Sequence, residues 1–510
     1  GRPGADSILI RDGRIAAVGR RAELDRGAVP IDHHEGVICP ALCDAHLHPV
    51  GYATALHRPS LKEAEDFEEI AAILRSAAAG TPDGSAVTAL RLDDESLSEG
   101  RLPDRAVLDR AVPDRPVLLV RYCGHIAVAN TRALELAGIG PDTPDPPGGS
   151  IDRDGRGTPT GVLRETATEI VAGALSDLAP PLSAAQLVEA AGSLASLGLA
   201  SVGGIVDVRE GCWSGAGSEL DVLIEAAPDL PIRVGALVIA HTPDELAEAA
   251  ARLEAAGPMV RFLGLKAFAD GSLGGHTAAM HEGFADRPDT TGTHRLDPGW
   301  AHRMASIALG LGGRVAIHAI GDAAVGRVLD VMERAIDEGA DPAMLRVEHA
   351  SVLGPGDAAR MSRLGITAVV QPAFIASEYG WLHKRVGAER LARTYAFRTL
   401  LEAGVRLAGS SDSPVEPPHP LWGMAAARDR FGVVPEEGLD ASAAFELFTT
   451  GAAAAIGETR GLEEGSPADL IVMDRDPLAA TPEGLREARV AATYVAGTPV
   501  PFPSVSAWPG

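Results

Sequence analysis

The feature that most constrains this fold is a rhythm. Eight short aliphatic runs, at 37–48, 199–207, 232–240, 260–270, 314–318, 345–349, 366–371 and 405–412, are separated by longer stretches. Helical periodicity follows most of them, at 187–197, 244–256, 323–338, 356–364 and 389–403. Strands that alternate with helices favour a parallel sheet, because only a helix-length crossover returns the chain to the start of the next parallel strand. Eight such units predict an α/β fold, a closed (β/α)8 barrel of the TIM type. The chain's 510 residues suit such a barrel together with a minor domain.

Two places break the rhythm. Roughly 150 residues, about 50–198, separate the first run from the second, and structureless loops of that length are uncommon. An inserted subdomain over the barrel mouth is therefore expected, with strand-like runs at 86–92 and 117–122 and a Pro/Gly-rich loop at 140–159. At the N-terminus, runs 7–10 and 14–18 flank Asp12-Gly13, a hairpin signal. Near the C-terminus, 468–473 and 490–495 also read as short strands. Termini often lie close together, so these pieces are expected to build one small β-sandwich from 1–40 and 457–510, leaving 41–456 to the barrel.

Composition removes several classes of function. The net charge of −25 repels phosphate backbones and anionic membranes, so neither nucleic acid nor membrane is an expected partner. Aromatics are only 4%, too few for a base-stacking platform. No apolar run approaches the ~20 residues of a membrane span. Four cysteines, Cys39, Cys43, Cys123 and Cys212, form no CxxC pair and no disulfide framework, which points to a reducing, cytoplasmic setting. The first residues, Gly1 to Asp6, carry neither a signal-peptide pattern nor an initiator Met, and the sequence is expected to begin partway into a strand. A small-molecule substrate is expected, and a homo-oligomer is allowed.

The chemistry-bearing residues cluster at the downstream ends of the runs: His46 and His48, Lys266 and Asp270, His318, His349, and Asp412. In a barrel those ends surround the active site. Fifteen histidines scattered at random would not place four there. Residues two apart on a strand point to one side, so His46 and His48 can face one cation while Leu47 packs outward. Imidazole is a common neutral ligand of Zn²⁺. His318 and His349 end consecutive buried-looking strands, which favours ligands over satisfied core histidines. Asp412, in GSSDSP, reads either as a turn aspartate before Pro414 or as a carboxylate that binds metal and takes a proton from water. Lys266 lies inside an apolar strand, where an ammonium needs a partner or a lowered pKa. It either pairs with a carboxylate such as Asp270 or, as a neutral amine, reacts with carbon dioxide to give a carbamate that can bridge metals.

Weaker signals remain. His125, in the insertion, either reaches the pocket from above or serves structure. The stretch DGSLGG at 270–275 is a substrate loop or a turn cluster, with the wrong spacing for a dinucleotide fingerprint. Glu165 and Glu348 default to solvated or supporting carboxylates, and Gln371-Pro372 ends the seventh run beside the pocket.

Taken together, nine stretches resemble the amidohydrolase superfamily, in particular the YtcJ-like group that includes N-substituted formamide deformylases. They are DGRIAAVG (12–19), PALCDAHLH (40–48), CGHIAVAN (123–130), 148–163 ending in PTGVL, KAFADGSLGG (266–275), HAIGD (318–322), RVEHA (346–350), GSSDSP (409–414) and GSPADLIVMD (465–474). Pro40 is followed by Ala41-Leu42 where related enzymes usually have Pro-Gly-Phe, a difference that touches strand packing and no ligand. The resemblance implies a metal-bearing barrel in which His46, His48, carboxylated Lys266, His318, His349 and Asp412 hold one or two divalent ions, usually Zn²⁺. It also implies that His125 contacts substrate.

The expected reaction is hydrolysis of a non-peptide C–N bond, amide-type, with that of an N-substituted formamide among the candidates. A metal-activated hydroxide would attack, with Asp412 as proton shuttle and His125 or His349 stabilising the oxyanion. The competing readings are a deaminase or an ester or lactone hydrolase on the same scaffold, and a metal-free, non-catalytic relative.

Overall fold

The computed structural model describes residues 5–503, apart from 25–26, 28, 30, 32, 34–35, 123, 147, 176–177, 179–181 and 210–217. Two of the cysteines singled out above, Cys123 and Cys212, lie outside the described residues. Cys39 and Cys43 are buried free thiols.

The aliphatic runs form eight parallel strands: β1 (Leu42–Leu47), β2 (Leu199–Asp207), β3 (Arg233–Ile239), β4 (Val260–Phe268), β5 (Arg314–Ala319), β6 (Leu345–His349), β7 (Thr367–Val370) and β8 (Arg406–Gly409). They pair in strict chain order from β1 to β8. The last seam closes through the segment after β8. Asp412 donates its backbone N–H to His46 O (2.8 Å), and Ser413 O accepts from His48 N (2.8 Å). The Asp44 carboxylate reinforces the seam, accepting from His46 N (3.0 Å) and Ser411 N (3.0 Å). Cys43, Ala45, Ile205, Leu237, Leu263, Ala316, Val369 and Ala408 fill the interior, and Ala452, Ala455 and Ile456 join the same cluster. A larger cluster packs the helices against the outside of the strands. Such layering makes the barrel a solid core that carries its chemistry at the strand ends.

Gly264 shows how tight β4 must be. Its φ is +151°, and a Cβ there would collide with the Arg314 backbone at the start of β5. Only glycine adopts that conformation while letting the strands approach so closely.

The helices start where side chains cap them. Ser183 with Gln186, and Thr242 with Glu245, form capping boxes for Ala184–Ser196 and Pro243–Ala255. The expected single helix over 389–403 is instead two, Leu382–Leu391 and Phe397–Glu402. Between them Thr394 bridges to Val352, and Tyr395 turns with φ 52°. The apolar composition of that stretch serves two separate helices, which periodicity alone does not divide.

The 37–48 run also divides. Val37–Pro40 pairs antiparallel with Leu470–Met473 in a four-stranded sheet completed by Val490–Val495 and Thr498–Pro499. Ser7–Arg11 and Arg14–Gly19 form a separate hairpin, with Asp12 (φ 49°) and Gly13 (φ 73°) at its turn. Ile15 from the hairpin packs with Leu470, Val472 and Tyr494 from the larger sheet, so the two ends of the chain share one small core.

After β1 the insertion builds a five-stranded sheet of its own, in the order Val87–Leu92, Val117–Arg121, Ile126–Ala129, Pro159–Glu165, Gly149–Arg153. The segment expected as a Pro/Gly-rich loop at 140–159 thus contains an edge strand. Among the described residues no helix is long and apolar enough to cross a membrane.

Candidate metal centre

The strand ends bring the predicted residues to one place. His46 ends near β1's terminus, Lys266 and His318 lie just inside the ends of β4 and β5, His349 is the last residue of β6, and Asp412 follows β8. His46, His349 and Asp412 each offer a ligand atom, and these atoms lie within 4.8 Å of one another. Asp412 Oδ1 sits 3.2 Å from His46 Nε2 and 3.3 Å from His48 Nε2. Lys266 Nζ is 3.2 Å from His46 Nε2. The His318 ring lies 4.4 Å, centroid to centroid, from that of His349. Leu47, between the two histidines, packs in the outer core. Asp270 does not pair with Lys266; it accepts backbone N–H bonds from Ala279, Ile320 and Gly321 and so holds the loops after β4 and β5.

The neighbours of the imidazoles decide which nitrogen is free. Glu348 accepts a hydrogen bond from His46 Nδ1. Burial opposes ionisation of Glu348, but the Arg346 guanidinium and His46 hold it charged, far below the usual carboxylate range. Gln371 Oε1 accepts from His349 Nδ1 (2.7 Å), and the Gln371 amide is oriented by donating to Ser410 Oγ (2.9 Å). His318 Nε2 donates to Gly271 O (2.9 Å). Each imidazole therefore keeps one unprotonated nitrogen, Nε2 on His46 and His349 and Nδ1 on His318, the arrangement that ligating histidines require. Burial, aided by nearby Lys266 and His125 for His318 and by His318 for His349, keeps both rings neutral, well below the ordinary histidine range.

Asp412 supplies the decisive fit. Its Oδ1 is buried beside His46 Nε2 and His48 Nε2, yet among the described residues none offers it a donor in hydrogen-bond geometry. A buried carboxylate oxygen left without a donor is costly, and a cation shared with the surrounding imidazoles removes that cost. Burial pushes this carboxyl up, yet His46 and His48 beside it hold it well below the usual range. Lys266, fully enclosed in β4, has its ammonium pushed down to about 8 by burial. Asp412 (φ 57°) and His349 (φ 72°) both sit in the left-handed backbone region, strain that concentrates where side chains must be aimed.

Sequence reasoning left Glu165 without a role. It accepts from His125 Nδ1 (2.9 Å) and from Arg295 Nη1 (3.0 Å). His125 lies 5.6 Å from the His318 ring and lines a cavity of about 30 Å³ together with His318, His349 and Asp412. The insertion thus delivers a histidine to the space above the cluster.

The chain matches the profile of the amidohydrolase family over residues 31–501. It belongs to the amidohydrolase family. Among its relatives are the putative amidohydrolase YtcJ of Bacillus subtilis (30% identity, 96% of this chain and 95% of the relative) and the N-substituted formamide deformylase of Arthrobacter pascens (29%, 97% and 94%). The protein LONG AFTER FAR-RED 3 of Arabidopsis thaliana is also similar (30%, 97% and 88%). The crystal structure of an uncharacterized metal-dependent hydrolase from Pyrococcus horikoshii OT3 superposes with a TM-score of 0.74 at 29% identity, covering 93% of this chain and 95% of that one. The family's eight-stranded barrel and additional sheets are those described above.

Proposed function

We propose that this amidohydrolase-family chain is a zinc-dependent hydrolase of a non-peptide, amide-type C–N bond, with N-substituted formamides as the first substrates to test. The observation that carries the reading is the unpartnered Asp412 Oδ1 set among imidazoles whose other nitrogens are already committed. A nitrogen-rich donor set with one carboxylate suits Zn²⁺ better than the oxygen-preferring Mg²⁺ or Ca²⁺. The relative from Arthrobacter pascens, similar along nearly its whole length, supports the formamide class. His46, His48, His318, His349 and Asp412 would hold one or two ions, and Lys266, as its carbamate, would bridge them.

A bound divalent ion lowers the pKa of water from 15.7 to about 7 and polarises a carbonyl. The residues do the rest. Asp412 accepts the proton from the attacking water and passes it to the departing nitrogen as the water oxygen bonds to the carbonyl carbon and the C–N bond breaks. His125, held at Nδ1 by Glu165, would donate from Nε2 toward the developing oxyanion when the ring carries both protons. The products are a carboxylic acid, formic acid in the first case, and an amine.

The test is metal analysis together with turnover of N-formyl, N-acetyl and cyclic amide compounds on zinc-reconstituted protein. Stoichiometric zinc and formate release support the reading. Ammonia from an aminated ring, or turnover of esters or lactones alone, would replace it with another hydrolysis on the same scaffold. Protein that takes up no metal would make it a non-catalytic member. Asp412→Asn with full metal and full activity would remove the proposed shuttle. Intact-mass measurement reads the carbamate as one added CO₂ at Lys266, and Lys266→Ala with normal metal content and rate would remove it.

A further inference from the structure

The same cavity carries a second set of polar groups that the hydrolytic steps do not use. Glu378 and Glu416 both line it, and both are more than nine-tenths buried. Glu378 ends the helix Phe374–Glu378 after β7, and Glu416 lies four residues beyond Asp412. The Phe374 ring stacks on His349 at 6.0 Å, so the start of that helix touches the metal cluster. Four residues of helix carry the chain ~6 Å along its axis. Glu378 therefore lies about one helical turn from the residue whose ring contacts His349. Tyr395 Oη donates to Glu378 Oε2 (2.6 Å), which fixes that carboxylate as an acceptor and holds it in place.

The charge around these carboxylates is accounted for. Arg121 and Arg385 act on Glu378, but Arg121 already donates to Asp94 (2.6 Å) and Arg385 to Asp286 (2.8 Å) and Glu95 (3.2 Å). Arg91 and Lys62 act on Glu416 but also answer to Glu63, and Arg91 to Asp93. Among the described residues no lysine or arginine lines the cavity. Burial pushes both carboxyls up to about 7, aided by Glu416 for Glu378 and by Asp93 for Glu416. The same lining offers apolar surface from Leu273, Phe374 and Val415.

Resting on the hydrolytic reading of the cavity, we infer that the substrate is an amide bearing a distal amino group, joined by an aliphatic spacer and received by Glu378 and Glu416. The spacer lies along Leu273, Phe374 and Val415. The ammonium meets two desolvated carboxylates, an arrangement that strengthens charge-assisted hydrogen bonds. The chemical class is a mono-N-acylated diamine or an N-acyl compound of similar length ending in an amine.

Two measurements on the zinc-loaded protein test this. The first compares kcat/KM for N-formylcadaverine and its neutral isostere N-formylhexylamine. The expected preference for the amine is roughly tenfold or more, carried mainly by KM, and Glu378→Gln or Glu416→Gln should shrink that ratio toward one. No preference, or a preference for the alkyl compound, overturns the inference while leaving hydrolysis intact. The second measurement is calorimetric binding of hexylamine against hexanol, which needs no turnover. Hexylamine should bind wild-type protein at least tenfold more tightly than hexanol, and the two glutamine variants should lose that difference. Equal binding of both probes, or hexylamine binding that survives both substitutions, overturns the inference even if no amide is hydrolysed. Failure of all amides to react with amine selectivity preserved would instead sink the proposed reaction alone.

Discussion

Glu348 and His46, 302 residues apart in the chain, meet across the barrel floor of the site, the carboxylate accepting from the imidazole Nδ1. The pairing sets the His46 tautomer and turns Nε2 toward Asp412 and Lys266. Arg346, two residues earlier on β6, grips the same carboxylate and also donates to Ala45 O (2.7 Å) on β1. A neutral partner would orient the ring equally well. The charged one also raises its basicity toward a cation, as supporting carboxylates of metal sites do.

Glu348→Gln is therefore expected to weaken zinc binding about 10–100-fold, measured by competition with a chelator, because the amide keeps the shape and loses the charge. The same change leaves Arg346 enclosed without its counter-charge. Stability should fall by about 3 kcal/mol or more in denaturant unfolding of the metal-free protein. Unchanged zinc affinity would show that this carboxylate serves packing alone.

Gln371 plays the corresponding part for His349 without a charge. Gln371→Leu removes the acceptor and leaves the buried Nδ1–H unsatisfied, so zinc affinity should drop by about tenfold. Gln371→Glu should restore tight binding, since the new carboxylate accepts the same proton. Both variants are read in the same chelator competition, and a Glu variant weaker than the Leu variant contradicts the tautomer argument.

How much of this was visible beforehand follows from which signals are local. The barrel strands were legible because each is a short aliphatic run, and β2 and β6 begin and end where the sequence places them. The ligand candidates were legible because a histidine or lysine at the end of such a run has few structural reasons to be there. The division of 37–48 was not, since nothing in an apolar run says that Ala41 N will donate to Asp469 O while Leu42 joins the barrel. Glu348 was left as a default carboxylate, yet RVEH carried a usable signal. Arg346 and Glu348 alternate on one face of a buried strand, where charges must pair. Gly149–Arg153 and Ile126–Ala129 were hidden by their shortness and by flanking glycine and proline; their strand state is imposed by neighbours in the insertion's sheet.

His125 depends on Glu165 as His46 depends on Glu348, but above the cluster of candidate ligands and not within it. Glu165→Ala should therefore lower kcat/KM by roughly tenfold or more on any amide substrate while zinc stoichiometry stays at the wild-type value. Arg295, which shares Glu165, keeps only Glu169 (3.7 Å) of its two carboxylate partners at the same time. Arg295→Ala leaves the His125 bond in place, and its smaller effect on kcat/KM separates the two. Loss of zinc from the Glu165 variant would place that residue among the supports of the metal instead.

Glu219 lies outside the site and gives the protein a defined pH response. It is buried beside the end of β2, accepting from Asp207 N (3.1 Å). Burial, with Asp207 nearby, pushes its carboxyl up to about 8, against 4.5 for the free side chain. Asp207 is itself pushed up to about 6, chiefly by burial, so the two shifts have one sign. Below the unfolded value both states hold the proton, and the contribution to stability is complete. As pH rises toward the folded value, the unfolded chain sheds its proton while the folded chain keeps it, and stability falls by up to about 1.4 kcal/mol per pH unit. Above that, both states are ionised and the loss is finished. Glu219→Gln keeps the acceptor for Asp207 N and removes the titration, so it should gain on wild type steadily between about pH 5 and about pH 8. Denaturant midpoints of the two proteins across that window decide the matter: parallel curves would mean that Glu219 reaches solvent and ionises as an ordinary glutamate.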